Sequence, residues 1–310
     1  MRYVVSLMMF FWSLCVSAHT LKEVVVFGDS LSDNGNIYEY MNHQLPLSPP
    51  YYQGRFTDGP VWVETLMEKY YPGQGNTHLE DMAYGGAGIA MPGEVNQFAL
   101  QNQVKKYLEE HNGQLKSDSL YVIWMGANNY FNLPDNQDAV VKEVIRVIKA
   151  QAELLIAHGG KHFIFMNVPD LSKTPAAIEF EAIDELRHMS LMHNRLIKVM
   201  LDEVRVAHPE VQIMDYDVTK IMNEIVENPA SHGFTDGNST CFEHLDEGYT
   251  PRFKHNLMLN KLDTMAIPRD GIDCDGYLFF DLYHPTAHAH RIMADEMYQL
   301  FAKEGIKFIE

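Results

Sequence analysis

The sequence predicts an α/β fold, a three-layer αβα sandwich whose central sheet is mainly five-stranded and parallel. Two observations support this prediction. Short apolar runs alternate with longer amphipathic stretches along the chain, which is the pattern of strands covered by helices on both faces. The 310 residues contain neither an internal repeat nor a low-complexity linker, so one large domain is favoured over two small ones.

The expected strands are short, mostly apolar runs. Glu23–Phe27 comes first, and His78–Ala83 is a weaker second strand. Leu120–Met125 and His162–Val168 give the clearest patterns, because almost every side chain in them is apolar. Val211–Tyr216 is the fifth expected strand.

Helices are expected between these strands, where apolar residues recur at steps of three and four. The clearest stripe lies within residues 138–157, which carry seven such positions from Val141 to Ile156. The other expected helices cover residues 60–70, 95–108, 179–207 and 285–302. This alternation of strands and helices favours a parallel sheet.

The first 18 residues have the pattern of a secretory signal peptide. Met1-Arg2-Tyr3 gives a basic start, an apolar run extends from Val4 to Val16, and Val16-Ser17-Ala18 forms a small-x-small end. The run is short for a membrane span, and a buried N-terminal strand is the alternative. We therefore expect cleavage after Ala18, a single mature domain over residues 19–310, and export to the periplasm or the extracellular space.

Two cysteines remain once Cys15 leaves with the signal peptide. Cys241 and Cys274 lie within residues 228–276, a stretch rich in Gly, Asn, Asp, His and Pro without clear periodicity. In an exported chain they favour one disulfide, with two unpaired buried thiols as the alternative. We expect this bridge to pin residues 228–276 as a long excursion from the domain.

The formal net charge of −18 limits the classes of molecule that this protein is expected to bind. A uniformly acidic surface argues against nucleic-acid binding and against electrostatic docking to anionic lipid. Zwitterionic and neutral amphiphiles stay open as ligands.

A serine follows the first expected strand, in the run Phe27-Gly28-Asp29-Ser30-Leu31-Ser32-Asp33. Active residues of open parallel sheets lie beyond the carboxyl ends of strands, so Ser30 is placed to act as a nucleophile. The run is not the Gly-x-Ser-x-Gly elbow of the α/β-hydrolases, which disfavours that fold. A helix N-cap is the structural alternative for Ser30.

Near the other end of the chain, Asp281-Leu282-Tyr283-His284-Pro285 supplies a histidine with a carboxylate three residues upstream. Asp281 can accept a hydrogen bond from Nδ1 of His284, which leaves Nε2 free to take the proton of Ser30. The alternative is an Asp-capped turn beside a surface histidine. Because a parallel sheet can bring both segments to one edge, we expect a Ser30–His284–Asp281 triad suited to ester chemistry.

These two runs resemble blocks I and V of the SGNH, or GDSL, hydrolases. The family's second block, Asn-x-Ala-x-x-Gly, resembles residues 81–86, and its third, Gly-x-Asn-Asp, resembles residues 126–129. Each has one departure, at Asp81 and at Asn129. The departures fall at supporting positions, and the resemblance covers nearly the whole mature chain.

The resemblance implies a flavodoxin-like fold and an oxyanion hole. By that implication the hole is formed by the backbone N–H groups of Ser30 and Gly86 together with the side-chain amide of Asn128. A glycine suits the place where backbone must approach the substrate closely.

A narrower resemblance concerns Gly54–Trp62, which is similar to the Gly-Arg-Phe-Ser-Asp-Gly run of secreted bacterial phospholipases and glycerophospholipid–cholesterol acyltransferases in this family. The signal peptide, the length and the late disulfide resemble the secreted bacterial lysophospholipases A of the family. These resemblances imply a lysophospholipid or another acyl-ester lipid of a membrane surface as substrate, with a sterol as a further acyl acceptor. A broad-specificity carboxylesterase or lipase, and a non-catalytic secreted binding module, are the alternatives. Tyr51, Tyr52 and Phe56 either line an acyl-chain groove or anchor a loop.

No metal or cofactor is expected. His284, His288 and His290 lack the spacing of a metal-binding helix, and surface positions on the last helix are expected for His288 and His290. Gly86-Ala87-Gly88 lacks the third glycine of a dinucleotide-binding turn.

Overall fold

The computed structural model describes residues 19–241 and 274–309. The expected signal peptide and most of the excursion between the two cysteines lie outside these residues. The strands are β1 (His19–Leu21), β2 (Glu23–Phe27), β3 (Leu79–Asp81), β4 (Ser119–Ile123), β5 (His162–Met166), β6 (Gln212–Tyr216), β7 (Asp236–Thr240), β8 (Tyr277–Phe279) and β9 (Ile306–Phe308). All five expected strands are present, and the second is the shortest of them.

The helices match the amphipathic stretches and add shorter ones between them. They are α1 (Asn36–Tyr40), α2 (Trp62–Tyr70), α3 (Leu100–Glu110), α4 (Ala127–Phe131), α5 (Gln137–Ala157), α6 (Pro175–Glu179), α7 (Ile183–Ala207), α8 (Val218–Glu227) and α9 (Ala287–Lys303). The expected helix over residues 179–207 begins later, because Glu181 adopts a left-handed backbone with φ of 51° between α6 and α7. The unexpected α8 has a sequence signal, the N-cap Asp217, whose side chain accepts from the N–H of Lys220.

The central sheet is parallel throughout, in the order β3-β2-β4-β5-β6. Counted along the chain this is the order 2-1-3-4-5 of a flavodoxin-like fold. The strand order reverses beside β2, so the loops that follow β2 and β4 diverge and leave a crevice at the carboxyl edge. The predicted three-layer αβα sandwich is confirmed.

Each face of the sheet buries its own apolar cluster. Side chains alternate along a strand, so Val25 and Phe27 of β2 pack on one side with α3, α5 and α7, while Val24 and Val26 pack on the other with α2, α8 and α9. The long α5 and α7 pack against each other, as do α2 and α9. Both faces of β2 are therefore buried, which explains its uninterrupted apolar run.

Two small sheets complete the described part of the chain. β1 and β9 pair in parallel and join its two ends. β7 and β8 pair on either side of the disulfide between Cys241 and Cys274, whose Cα atoms are 5.5 Å apart. The first part of residues 228–276 thus has regular structure, with a 3₁₀ helix at Pro229–His232 and β7 before Cys241. No helix among the described residues combines the length and apolarity that a membrane crossing requires.

Candidate active site

Ser30 lies in the turn that leaves β2 at the switch point of the sheet. The turn is helical in character, because the carbonyl oxygen of Asp29 accepts from the N–H groups of Ser32 and Asp33. Gln103 of α3 brackets Gly28 just before it: Oε1 accepts from the Gly28 N–H at 3.0 Å and Nε2 donates to the Gly28 carbonyl at 2.8 Å. Gln103 therefore holds the backbone that presents Ser30.

His284 reaches Ser30 from the loop between β8 and α9. Its Nε2 lies 2.7 Å from Oγ of Ser30, and its Nδ1 lies 2.6 Å from Oδ2 of Asp281. An ionised carboxylate only accepts, so Nδ1 carries a hydrogen and Nε2 is left to accept from the serine hydroxyl. The three side chains are 5%, 4% and 2% exposed for Ser30, His284 and Asp281, so the arrangement is shielded from bulk water.

The Asp281 side chain also shapes its own loop. Its Oδ1 accepts from the backbone N–H groups of Tyr283 and His284, both at 2.8 Å. This turn directs the His284 ring back over the carboxylate that orients it. The spacing of three residues, noted in the sequence, is what the turn requires.

The stretch Gly54–Trp62 contacts the loop that carries His284 through hydrogen bonds and one ring contact. Thr57 donates its hydroxyl hydrogen to the carbonyl of Pro285 at 2.9 Å, and Asp58 Oδ1 accepts from the N–H of Ala287, the first residue of α9. The Phe56 ring lies 5.1 Å from the His284 ring, centroid to centroid. The narrower sequence resemblance therefore marks a segment that positions the histidine.

The aromatic residues of this region anchor loops. Tyr51 and Phe56 pack behind Asp281 and His284, and Tyr52 stands at the surface. None of the three lines the apolar cavity that adjoins Ser30. Of the two roles that the sequence left open, the structure favours the loop anchor.

The expected oxyanion donors lie on the side of Ser30 that faces β3 and β4. Gly86 has φ of 74°, a left-handed conformation that favours glycine. A Cβ on the preceding Gly85 would collide with the Phe56 ring, so both glycines are needed for backbone to pass this closely. Among the described residues, no acceptor is found for the N–H of Ser30 or of Gly86.

Asn128 stands in the first turn of α4, directly beyond β4. Its Nδ2 donates to the carbonyl of Ala87 at 2.6 Å and to Oδ2 of Asp29 at the longer distance of 3.3 Å. The short contact fixes the amide beside the Gly86 loop. The long contact is the weaker one, and an oxyanion on a Ser30 adduct can replace it.

Asn129 and Asp81, the two residues that differ from the family blocks, hold the Gly86 loop through different hydrogen bonds. Asn129 brackets Ile89, since Oδ1 accepts from its N–H at 2.9 Å and Nδ2 donates to its carbonyl at 3.1 Å. Asp81 accepts from the N–H groups of Asn34 and Ala83. Burial, with the charge of Asp33 nearby, raises the pKa of Asp81 well above its usual range.

Asp33 ties the Ser30 turn to the Gly86 loop. The backbone N–H groups of Gly35, Asn36, Ile37 and Gly85 all donate to its carboxylate. Burial nevertheless raises the pKa of Asp33 to about 6, because the loss of hydration outweighs these hydrogen bonds.

Two cavities of different character adjoin Asn128. The apolar cavity contains Ser30 and His284 and is lined mainly by hydrophobic side chains, among them Leu31, Trp124, Phe131, Met222, Phe279 and Met293. The polar groove lies on the other side and includes Gly86, Glu94, Asn96, Asn129, Asn132 and Asp135. Ser30 lines only the apolar cavity, and Asn128 is the residue that the two cavities share.

Two buried histidines support the site without titrating near neutral pH. His193 of α7 lies 2.7 Å from the Tyr130 hydroxyl of α4, and burial lowers its pKa to about 3. His290 was expected at the surface, and that prediction is wrong. It is 1% exposed, since α9 packs against α2, and its Nδ1 accepts from the N–H of Trp62 at the start of α2. Burial and, to a smaller extent, nearby His284 lower the pKa of His290 to about 3.

Residues 19–241 and 274–309 contain no group of three His, Cys, Asp or Glu side chains arranged to hold a metal ion.

Several residues that shape the site were given no role in the sequence analysis, namely Gln103, Asp33, Thr57 and Asp58. Asp33 lies in the first family block and Thr57 and Asp58 lie in the Gly54–Trp62 run, so those runs were their signal. The signal of Gln103 is that it interrupts the apolar face of α3 between Leu100 and Val104.

Comparison with known proteins agrees with the block resemblance. The model of the GDSL-like Lipase/Acylhydrolase family matches residues 24–297. The phosphatidylcholine-sterol acyltransferase of Aeromonas hydrophila is 27% identical over 309 residues, covering 90% of each chain. The secreted effector protein SseJ of Salmonella typhimurium is 29% identical over 283 residues, covering 90% of this chain and 63% of that protein. The native aryl esterase structure of M. smegmatis aligns at a TM-score of 0.45 and 12% identity, over 91% of this chain and 99% of that one.

Proposed function

This chain belongs to the GDSL-like lipase/acylhydrolase family, and on that premise we propose that it is an exported serine esterase that hydrolyses acyl esters of lysophospholipids. The observation that carries the proposal is the line of hydrogen bonds from Ser30 through His284 to Asp281, buried beside an apolar cavity. A hydroxyl that donates to a carboxylate-oriented imidazole is an activated nucleophile.

The proposed reaction has two halves. Oγ of Ser30 attacks the ester carbonyl while Nε2 of His284 takes the hydroxyl proton, and the tetrahedral oxyanion is held by the N–H groups of Ser30 and Gly86 and the amide of Asn128. The intermediate collapses when His284 returns the proton to the departing alcohol. Water then attacks the acyl-enzyme with His284 again as the base, which releases the fatty acid and restores Ser30.

The two cavities support an amphiphilic substrate. We propose that the acyl chain enters the apolar cavity and that the glycerophospho-headgroup leaves through the polar groove, with Asn128 at the boundary. Glu94 and Asp135 in that groove disfavour an anionic headgroup and favour a zwitterionic one such as phosphocholine. The substrate is then taken from a membrane or micelle surface.

Acyl transfer to a sterol is a second reaction of the same acyl-enzyme. The similarity to a phosphatidylcholine-sterol acyltransferase supports it, because a sterol hydroxyl can replace water as the attacking group. Export is supported by the disulfide, since such bonds persist in oxidising compartments, and by the similarity to a protein named as a secreted effector.

The first test asks whether Ser30 is the nucleophile. The purified chain is treated with a fluorophosphonate probe, and fatty acid release from lysophosphatidylcholine is measured in parallel. Ser30→Ala should lose both labelling and release, while Ser32→Ala, a serine that accepts from Trp62 Nε1, should keep the labelling. Labelling that survives in Ser30→Ala contradicts the proposal, and a wild type without labelling or release leaves the non-catalytic binding module as the better reading.

The second test concerns the substrate. Rates are compared for lysophosphatidylcholine, lysophosphatidylglycerol, a diacyl phospholipid and short p-nitrophenyl esters, with and without cholesterol. We expect lysophosphatidylcholine to react fastest. Preference for the short soluble esters favours the broad carboxylesterase instead, and a steryl ester product demonstrates acyl transfer.

A further inference from the structure

Tyr51 makes a contact that the reaction just described does not use. Its hydroxyl lies 2.8 Å from Oδ2 of Asp281, the same oxygen that accepts from Nδ1 of His284 at 2.6 Å. Tyr51 and Asp281 are 5% and 2% exposed, so the pair is buried. The two residues stand 230 positions apart, and only the folded chain brings them together.

The direction of this hydrogen bond is defined by chemistry. Burial, with the charge of Asp281, raises the pKa of Tyr51 well above its usual range, so the phenol keeps its hydrogen. An ionised carboxylate has only lone pairs to offer, so Tyr51 donates and Asp281 accepts. The phenol therefore competes with His284 for the electron density of one oxygen.

We propose that Tyr51 is a positioning residue that tunes the basicity of His284 through Asp281. A donor on Oδ2 withdraws negative charge from the carboxylate, which weakens its stabilisation of the imidazolium form of His284. The same donor prevents the carboxyl group from rotating away from Nδ1. The predicted effect of Tyr51 on reaction rates rests on the proposed esterase function. The predicted effect of Tyr51 on the basicity of His284 rests on the geometry alone.

The packing of the Tyr51 ring allows the hydroxyl to be tested by itself. The ring meets Phe280 and Phe56 edge-on, at centroid distances of 5.1 and 5.9 Å. Phe280 and the disulfide cysteines belong to the same buried cluster. Replacing Tyr51 with phenylalanine leaves this apolar packing in place and removes only the donor.

Other titratable groups face His284 and must be kept constant. Asp29 lines the same cavity next to Ser30, Tyr283 precedes the histidine in its loop, and Asp58 accepts from the start of the following helix. His290 on that helix is close enough to interact electrostatically with His284, and it stays neutral above about pH 3. None of these groups changes in the variants below.

The test is the pH profile of kcat/KM for Tyr51→Phe on a p-nitrophenyl ester. Without the Tyr51 donor, more negative charge stays on the Asp281 carboxylate, which favours the protonated form of His284. The acid limb of the kcat/KM profile follows the protonation of His284 in the free enzyme, so it should move about one unit to higher pH. At neutral pH the rate should fall about tenfold, because more of the histidine is protonated and the carboxylate is less well held. An acid limb at the wild-type position overturns the proposal, whatever happens to the rate.

Tyr71→Phe is the matched control. Its hydroxyl is partly buried and donates to the carbonyl of Ile309 at 2.8 Å, with the Lys22 carbonyl as a more distant acceptor at 3.3 Å, away from Ser30. This variant should lose stability without moving the pH profile. In Asp281→Asn, adding Tyr51→Phe should cost no further rate, and an undiminished additive loss contradicts a role through Asp281.

Two measurements separate this inference from the esterase proposal. The NMR titration of the His284 ring reports its pKa without any substrate, so it reads the effect of Tyr51 even if no ester is cleaved. Should Tyr51→Phe fail to fold, 3-fluorotyrosine incorporated at position 51 alone keeps the ring and makes this one phenol a stronger donor. The His284 titration should then move to lower pH, and an unmoved titration overturns the proposal.

Discussion

Thr57 donates its hydroxyl hydrogen to the carbonyl oxygen of Pro285 across 2.9 Å, and the two residues stand 228 positions apart. Both groups are buried, so the acceptor has no water to replace the hydroxyl. This contact ties the residue after His284 to the segment before α2. The position of the histidine therefore depends on a part of the chain that contacts neither Ser30 nor the apolar cavity.

We expect Thr57→Val to lower kcat about tenfold and to reduce the unfolding free energy by about 1–3 kcal/mol, because the Pro285 carbonyl loses its buried donor. Thr57→Ser keeps the hydroxyl and should stay close to the wild type in both. The measurements are ester hydrolysis and urea unfolding. Equal values for Thr57→Val and the wild type would show that the histidine loop is held by other contacts.

Asn128→Ala should lower kcat by about 10²–10³-fold with a small change in KM, because the amide acts only when the oxyanion has formed. Asn129→Asp is the comparison from the same helix. It keeps the acceptor for the Ile89 N–H and replaces the donor to the Ile89 carbonyl with a carboxylate oxygen, which disturbs the loop and leaves Asn128 in place, so its rate should fall less than about tenfold. A milder loss at Asn128 than at Asn129 would contradict the assignment of the oxyanion donor.

Met222→Trp should shift the enzyme toward short acyl chains. Met222 lies on the face of α8 that lines the apolar cavity, together with Val218 and Val226 at steps of four. A larger side chain there should lower the ratio of kcat/KM for palmitate to that for butyrate about tenfold, measured with p-nitrophenyl esters.

The control for this change is Glu224→Phe, which adds a ring to an exposed position of the same helix. Its chain-length profile should match the wild type. An unchanged profile in Met222→Trp would place the acyl chain outside this cavity.

Asp81→Asn should alter the pH dependence of stability. The pKa of Asp81 is raised in the folded state above its ordinary value of 3.8, so the folded state holds a proton that the unfolded chain has released. Stability from this group is therefore present at low pH and is lost as pH rises through the folded pKa. The variant should gain stability relative to the wild type as pH rises from about 4 upward, measured by urea unfolding.

Asp118→Asn is the control, and its effect on stability should change with pH in the opposite direction. The hydrogen bond from Lys22 lowers the pKa of Asp118, so that group contributes stability at higher pH and loses it as pH falls. Curves for Asp81→Asn and the wild type that run parallel over the whole range would exclude an ionisation cost at Asp81.

How well each helix or strand could be predicted from the sequence depends on the length of its apolar pattern. Four of the five strands of the central sheet and the longest helices carry enough apolar positions to be recognised from sequence, whereas β3 has a single apolar residue and gave the weakest strand pattern. β1, β8 and β9 have three residues each, too few for any periodicity, and they form because their partners supply the hydrogen bonds. The short helix α4 carries Asn128, yet it has a single turn and depends on packing against α5 and α7.

The order of residues along the chain was sufficient for the sheet and the family, and it supplied the prediction that Ser30, His284, Asp281, Gly86 and Asn128 form the site. Those features reside in local runs, where neighbours in sequence are neighbours in space. Gln103, Thr57, Tyr51 and the burial of His290 were decided only by the folded chain. Each depends on a hydrogen-bond partner between 75 and 230 positions away, and a single sequence contains no measure of that distance in space.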